Sequence, residues 1–261
     1  MPRYRSILLI LSCHLLMSCN TNNNLLTTML ERNIEATDLP PLCEQDEQRL
    51  KEQLAILEAI PASSQTGHAA SLDFLNQLDD FYIELGNSYS AMQLLSNVHP
   101  SSTLRSAASD CQKKLSKLNT DVSLSSPIYE QLNTITLESD DKNALRYQKN
   151  LLRSYIRSGV SQPAEKRKII RQLQNEIAEL GQLFSKNIRD DVRHITIQSV
   201  DDLKGLPQDY IDKLDRNEQG QWLITTDYPS VFPFLRYAHS DQHRHAIYRQ
   251  FLNRGYPANT V

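Results

Sequence analysis

The stretch Leu75-Asn-Gln-Leu78-Asp-Asp-Phe-Tyr82-Ile-Glu-Leu85-Gly-Asn-Ser-Tyr89-Ser-Ala-Met92 places an apolar residue at alternating steps of three and four. That spacing lines one face of a helix; a strand would alternate every two residues. Leu50, Leu54 and Leu57 make a shorter stripe before it, and Leu104, Ala108, Cys111, Leu115 and Leu118 make another after it. Between the last two, His99-Pro100-Ser101-Ser102 breaks the pattern. Proline removes a backbone donor, and Ser101 or Ser102 can cap the next helix. The stretch and its neighbours therefore predict a mainly α fold, an antiparallel helical array.

Further along, Leu145, Leu152, Tyr155 and Ile156 mark a helix that should stop at Ser158-Gly159, where glycine can take the left-handed conformation of a C-cap. Ser161-Gln-Pro163 opens a long helix with the stripe Ile170, Leu173, Ile177, Leu180 and Phe184. Its solvated face is expected to carry Glu165, Lys166, Arg167, Lys168 and Arg171. After Asn187 the period changes. His194-Ile-Thr-Ile-Gln-Ser-Val200 and Gln221-Trp-Leu-Ile-Thr-Thr226 alternate like strands, which predicts a small two-stranded β ribbon near residues 194–226 with a short helix from Gln208 to Leu214 inside it. Asp227-Tyr-Pro-Ser230 returns the chain to helix, with Phe232, Leu235 and Tyr237 expected to pack.

The first residues read differently. Arg3 and Arg5 precede an apolar run from Ile7 to Met17, the layout of an export signal and too short to span a bilayer stably. Leu16-Met17-Ser18-Cys19 is similar to a bacterial lipobox, which makes residues 1–18 a lipoprotein signal peptide and Cys19 the lipidated first residue of the mature chain; the alternative is an ordinary cleavable signal with an incidental cysteine. Residues 19–43 then form a tether and linker, and residues 44–261 the helical region. The expected location is the cell envelope, lipid-anchored, with the outer membrane facing the periplasm favoured by Asn20. In that oxidising compartment Cys43 and Cys111 either form a disulfide or sit as two separate buried thiols. With 28 basic against 31 acidic residues, the chain presents no basic field for nucleic acid.

Two histidines four apart, in His239-Ser-Asp-Gln-His243, have the spacing of a zinc protease helix. That chemistry needs both imidazoles on one face and a glutamate after the first as general base. Ser240 stands at the glutamate position, and Ser240-Asp241 is a good helix start, which would leave His239 outside the helix. No metal site is expected here. The acidic pairs Asp140-Asp141, Asp190-Asp191 and Asp201-Asp202 fall where caps and turns belong. No catalytic residues and no metal ligands are assigned in this chain.

Several segments taken together resemble the thimet oligopeptidase, oligopeptidase A and neurolysin family of zinc metallopeptidases. They are Val98-His99-Pro100 with Arg105-Ser-Ala-Ala-Ser109, Ser125-Ser-Pro-Ile-Tyr129, and Leu152-Arg-Ser-Tyr-Ile-Arg-Ser-Gly-Val160. Glu176-Ile-Ala-Glu-Leu180, Phe184-Ser-Lys-Asn187, Leu203-Lys-Gly-Leu-Pro207 and Tyr228-Pro-Ser-Val-Phe-Pro-Phe-Leu-Arg-Tyr-Ala238 follow, leading to Arg244, Tyr248 and Arg254. The resemblance covers residues 95–254 and implies helices that wall a peptide channel, with short peptides as substrates and zinc held by a later segment absent from this chain. It implies an N-terminal portion, non-catalytic by itself, with no cofactor of its own; a helical lipoprotein that binds peptides or a protein partner, or a non-functional gene fragment, are the alternatives. It also implies that apolar residues made for that later segment face water, from Ile170 to Phe184 and at Phe232, Phe234, Phe251 and Leu252.

Overall fold

The computed structural model describes Leu25, residues 34–61 and residues 67–260. Six helices come first in the described chain: α1 Leu39–Ala59, α2 His68–Val98, α3 Ser102–Ser123, α4 Ser126–Thr134, α5 Lys142–Ser158 and α6 Ala164–Asp190. A strand β1 (His194–Ile197), a 3-10 turn at Val200–Leu203, a short helix α7 (Gln208–Ile211), a strand β2 (Trp222–Thr225), and helices α8 (Tyr228–Tyr237) and α9 (Asp241–Leu252) complete it. This is the mainly α array with a small ribbon that the apolar spacing predicts.

Local chemistry sets the boundaries. Ser101 caps α3 by accepting from Leu104 N, Ser125 caps α4 by accepting from Ile128 N, and Asp141 caps α5 by accepting from Ala144 N. Gly159 ends α5 at φ 96°, a conformation that costs other residues, and a Cβ there would strike Ile170 Cδ1 at 2.6 Å. The start of α1 differs from expectation. Pro40 and Pro41 occupy the first turn, where a missing donor costs nothing, so the helix begins at Leu39, inside the stretch expected as tether.

Two apolar cores result. The larger is built by α1 to α5, from Leu39, Leu50 and Leu54 through Phe74, Leu78, Phe81, Leu115 and Ile128 to Tyr155. A disulfide between Cys43 and Cys111, with Cα atoms 5.8 Å apart, joins α1 to α3 inside it. The smaller core lies beneath the ribbon, where Ile197, Trp222 and Ile224 meet Val231, Phe234, Ala238 and Ile247. The strands pair antiparallel with His194 opposite Thr225 and Ile197 opposite Trp222. On α8 the buried positions are Val231 and Phe234, followed by Ala238 just past its end, while Phe232 and Tyr237 are 50% and 42% exposed. Of the three residues expected to pack, Leu235 does so, partly buried against this core, while Phe232 and Tyr237 turn outward.

Helix α6 has no buried residue: Glu165, Lys166 and Lys168 lie on the expected solvated face, Arg167 and Arg171 turn away from it, and the stripe from Leu173 to Phe184 faces water as the resemblance implies. Arg171 Nε donates to Asp121 Oδ1 at 2.8 Å, Lys117 pairs with Glu179 at 3.0 Å, and Arg189 donates to the Ser96 carbonyl, so polar side chains make the contact with the array. Arg167 is likewise turned inward, donating to the carbonyls of Val160 and Gln162. Leu173, Ile177, Leu180 and Phe184 point the other way, each more than half exposed.

Candidate functional site

The polar face of α6 matters because it borders a trough. Helix α3 presents Ser109, Gln112, Ser116, Asn119 and Ser123 at steps of three and four, with Leu115 at the edge of the same face. Helix α6 supplies Gln174, Ala178, Gln182 and Ser185 across from them. Tyr82 and Tyr89 of α2 and Tyr147 and Tyr155 of α5 contribute the aromatic groups. Three adjoining hollows of about 240, 360 and 610 Å³ share Tyr82, Tyr89, Ser116, Asn119 and Ala178 in their linings, which makes them one elongated surface.

Its chemistry is mainly hydrogen bonding by hydroxyls and amides, with the cations Lys186 and Arg189 lining one of the hollows. Tyr82 and Tyr155 share a hydroxyl hydrogen bond of 2.8 Å, and Tyr147 donates to Asp79 Oδ1 at 2.6 Å. Burial pushes the Tyr82 phenol up to about 12, the bond to Tyr155 opposing it. Tyr155 is raised further, chiefly by burial and then by Tyr82, and Tyr147 by burial and then by its bond to Asp79. None of the three acts as a base near neutrality. Gln182 Oε1 is buried without a hydrogen-bond partner among the described residues. Hydroxyls and amides in a long groove suit the backbone of an extended peptide; they hold no nucleophile paired with a base.

A pH dependence follows. A phenol raised in the folded state stabilises the fold fully below about pH 10, its unfolded value, and that stability is lost as pH rises through the folded value. Absorbance at 295 nm should therefore show Tyr82 and Tyr155 titrating together with unfolding above about pH 10. A Tyr155→Phe variant should lose about 1 kcal/mol with its hydrogen bond. Titration of these phenols in a still-folded chain, read by circular dichroism, would contradict the geometry.

The histidine pair is explained by its neighbours. Ser240 caps α9, its Oγ accepting from His243 N and lying 2.9 Å from His243 Nδ1, so the helix begins at Asp241 and His239 lies outside it. His239 packs over Gly205, at φ 91°, where a Cβ would meet Tyr237 O at 2.2 Å and His239 Nε2 at 2.7 Å. That is why glycine stands in Leu203-Lys-Gly-Leu-Pro207. Asp202 Oδ1 lies 3.7 Å from His243 Nδ1, which brings serine, histidine and aspartate together. A catalytic triad needs them on opposite ring nitrogens, and here both face Nδ1. Among the described residues no group of three or more His, Cys, Asp and Glu could hold a metal ion.

The acidic pairs serve as caps and ion pairs. Asp141 is the α5 cap and Asp191 ends α6. Arg193 holds the Asp191 carboxyl below the usual carboxylate range, with Gly255 N donating to it as well. Cys19 lies outside the described residues. Arg105 shows what its motif does: it donates to the carbonyls of His99 and Pro100 at 2.8 and 2.9 Å and fixes the α2–α3 turn. Arg254 lies 4.0 Å over the Phe251 ring, next to Phe232 and Tyr228.

Helices α2, α3, α5 and α6 thus border one elongated, mainly polar trough. No protein-family model matches the chain. A thimet-like oligopeptidase of Dictyostelium discoideum is 28% identical over 203 residues, 74% of this chain and 29% of that protein. Oligopeptidase A of Escherichia coli is 27% identical over 193 residues, 69% of this chain and 28% of its own length. Saccharolysin of Saccharomyces cerevisiae is 26% identical over 185 residues, 66% and 26% of the two. The chain is homologous in part to the thimet oligopeptidase and oligopeptidase A family and spans less than a third of the relatives' length.

Proposed function

We propose that this chain is the N-terminal helical portion of an exported zinc metallo-oligopeptidase, forming a wall along which short peptides lie, and that by itself it cleaves none. The observation that carries the reading is partial homology to proteins named oligopeptidases, across 74% of this chain but 29% of the relative. The trough supports it, because its hydroxyls and amides offer hydrogen bonds to a peptide backbone and its described lining pairs no nucleophile with a base. The purified chain, incubated with zinc and internally quenched peptides, is expected to show no cleavage and to retain no stoichiometric zinc after dialysis. Cleavage, or one zinc per chain that disappears in a His239→Ala, His243→Ala variant, would overturn this. A reading frame encoding HExxH after codon 261 supports the oligopeptidase reading; without one, peptide binding by this chain favours the helical lipoprotein.

The envelope location is part of the same proposal. Cys19 is the acylated residue and the start of the mature chain, supported by the leucine three places before it and the polar run Asn20-Thr-Asn-Asn-Asn24. Labelling with a palmitate analogue should vanish in Cys19→Ala. Label that persists in the variant rules it out.

A further inference from the structure

The outer face of α5 carries Arg146, Lys149, Arg153 and Arg157 at steps of three, four and four, with Lys142 one turn earlier. At about 100° per residue these side chains fall within one narrow stripe, about 17 Å long from Arg146 to Arg157. All are exposed, and the helix contains no acidic residue. Lys142 stands next to Asp140 and Asp141, but none of the five side chains has an ion-pair or hydrogen-bond partner among the described residues. Elsewhere, cations at helix contacts are matched: Arg171 with Asp121, Lys117 with Glu179, Lys114 with Glu44. A row of unmatched like charges on one helix raises its own energy, so it calls for an anionic partner.

Ile156 protrudes within the row, 51% exposed, and a shallow hollow of about 480 Å³ is floored by Leu152 and Ile156 and rimmed by Lys149, Arg153 and Arg157. Cations around an exposed apolar strip match an interface with headgroups outside and acyl chains beneath. We propose that this face of α5 binds an anionic phospholipid surface. The exposed row around a shallow hollow lets the cations meet a plane together, long arginine and lysine stems lying along the surface while their heads reach phosphate. A nucleic acid fits less well, since no aromatic ring stands in the row for a base to stack on and the chain's net charge is −3. An acidic polypeptide would leave Ile156 in water. The surface does not depend on an acyl anchor at Cys19, and it would set which face of the protein lies toward the bilayer.

The test compares full chains, so that residues 1–18 are common to every arm. Partition onto vesicles of phosphatidylcholine with phosphatidylglycerol is measured against phosphatidylcholine alone, and the ratio of the two is read. The ratio should fall about a hundredfold in Arg146→Gln, Lys149→Gln, Arg153→Gln, since each cation near an anionic surface is worth about 1 kcal/mol. It should change less than about twofold in Lys51→Gln, Lys113→Gln, Lys204→Gln, which removes the same charge from other faces. Glutamine is a good helix former, so both variants keep the helix, as circular dichroism will show. A wild-type ratio near one, an equal fall in both variants, or tighter binding of polyglutamate than of anionic vesicles each overturns the proposal.

Discussion

Replacing both Cys43 and Cys111 by alanine is expected to lower the stability of the fold by about 4 kcal/mol. The bridge closes a loop of 68 residues, and the loss of chain entropy in the unfolded state scales with the logarithm of that length. Domains of this kind have a total margin of about 5–15 kcal/mol, so the change is a large fraction of it. It should act first on α1. That helix is tied to the rest by Leu39, Leu50, Leu54 and Leu57, by the bridge, and by a polar cluster in which Arg49 pairs with Asp46 and Glu84. The cluster is costly in itself: Asp46 is 2% exposed and its Oδ2 has no partner among the described residues. Amide exchange in α1 should therefore rise before exchange in α2 and α3 when the bridge is absent. A urea midpoint that moves by less than the equivalent of about 1 kcal/mol would show that the bridge contributes little.

The same elements show what a sequence of this kind discloses. The stripes from Leu50 to Leu57, Leu75 to Met92 and Leu104 to Leu118 lie where the helices of the large core lie, because burial of one helical face leaves its period in the sequence. Caps at Ser101, Ser125, Asp141 and Ser240 obey local rules that act over four residues. That α9 starts after His239 could be argued for the same reason, since the N-cap Ser240 leaves His239 outside the helix. The trough was also written, as Ser109, Gln112, Ser116, Asn119 and Ser123 at helical spacing, but a polar stripe on its own reads as a solvated face. Only the approach of α6 makes it concave. Tyr82, Tyr147 and Tyr155 are far apart in sequence, and their hydrogen bonds depend on the crossing of α2 and α5. On α8 the run Val231, Phe232, Phe234 and Leu235 leaves the packing face open; the ribbon underneath takes Val231 and Phe234 fully and Leu235 in part, so that Phe234 is buried and Phe251 partly so, instead of facing water.

The choice α6 makes between its faces leads to the second large effect. A helix with a strong apolar stripe normally turns it inward, yet Leu173, Ile177, Leu180 and Phe184 are 52%, 68%, 54% and 52% exposed, with Ile169 beside them at 55%. The inward side is occupied by Arg171, Gln174, Glu179, Gln182 and Arg189, matched to Asp121, Lys117 and the Ser96 carbonyl or facing the trough. Turning the stripe inward would break the pairs with Asp121 and Lys117, which are about half exposed and worth about 0.2–1 kcal/mol each. What remains is a contiguous apolar strip in water. At about 25 cal/mol per Å² of apolar surface, several hundred Å² covered by another surface amounts to roughly 10 kcal/mol, ample to drive association. The purified chain is therefore expected to self-associate at micromolar concentration and to bind a hydrophobic dye, with Leu252 and Phe232 adding to the sticky area. Leu173→Gln, Ile177→Gln, Leu180→Gln together should leave stability within about 0.5 kcal/mol per site and abolish both behaviours, whereas Leu115→Ala in the core should cost about 3 kcal/mol. A wild-type chain that is monomeric, leaves the dye dark and loses stability in the triple variant would mean that the stripe is buried in solution and α6 is turned the other way.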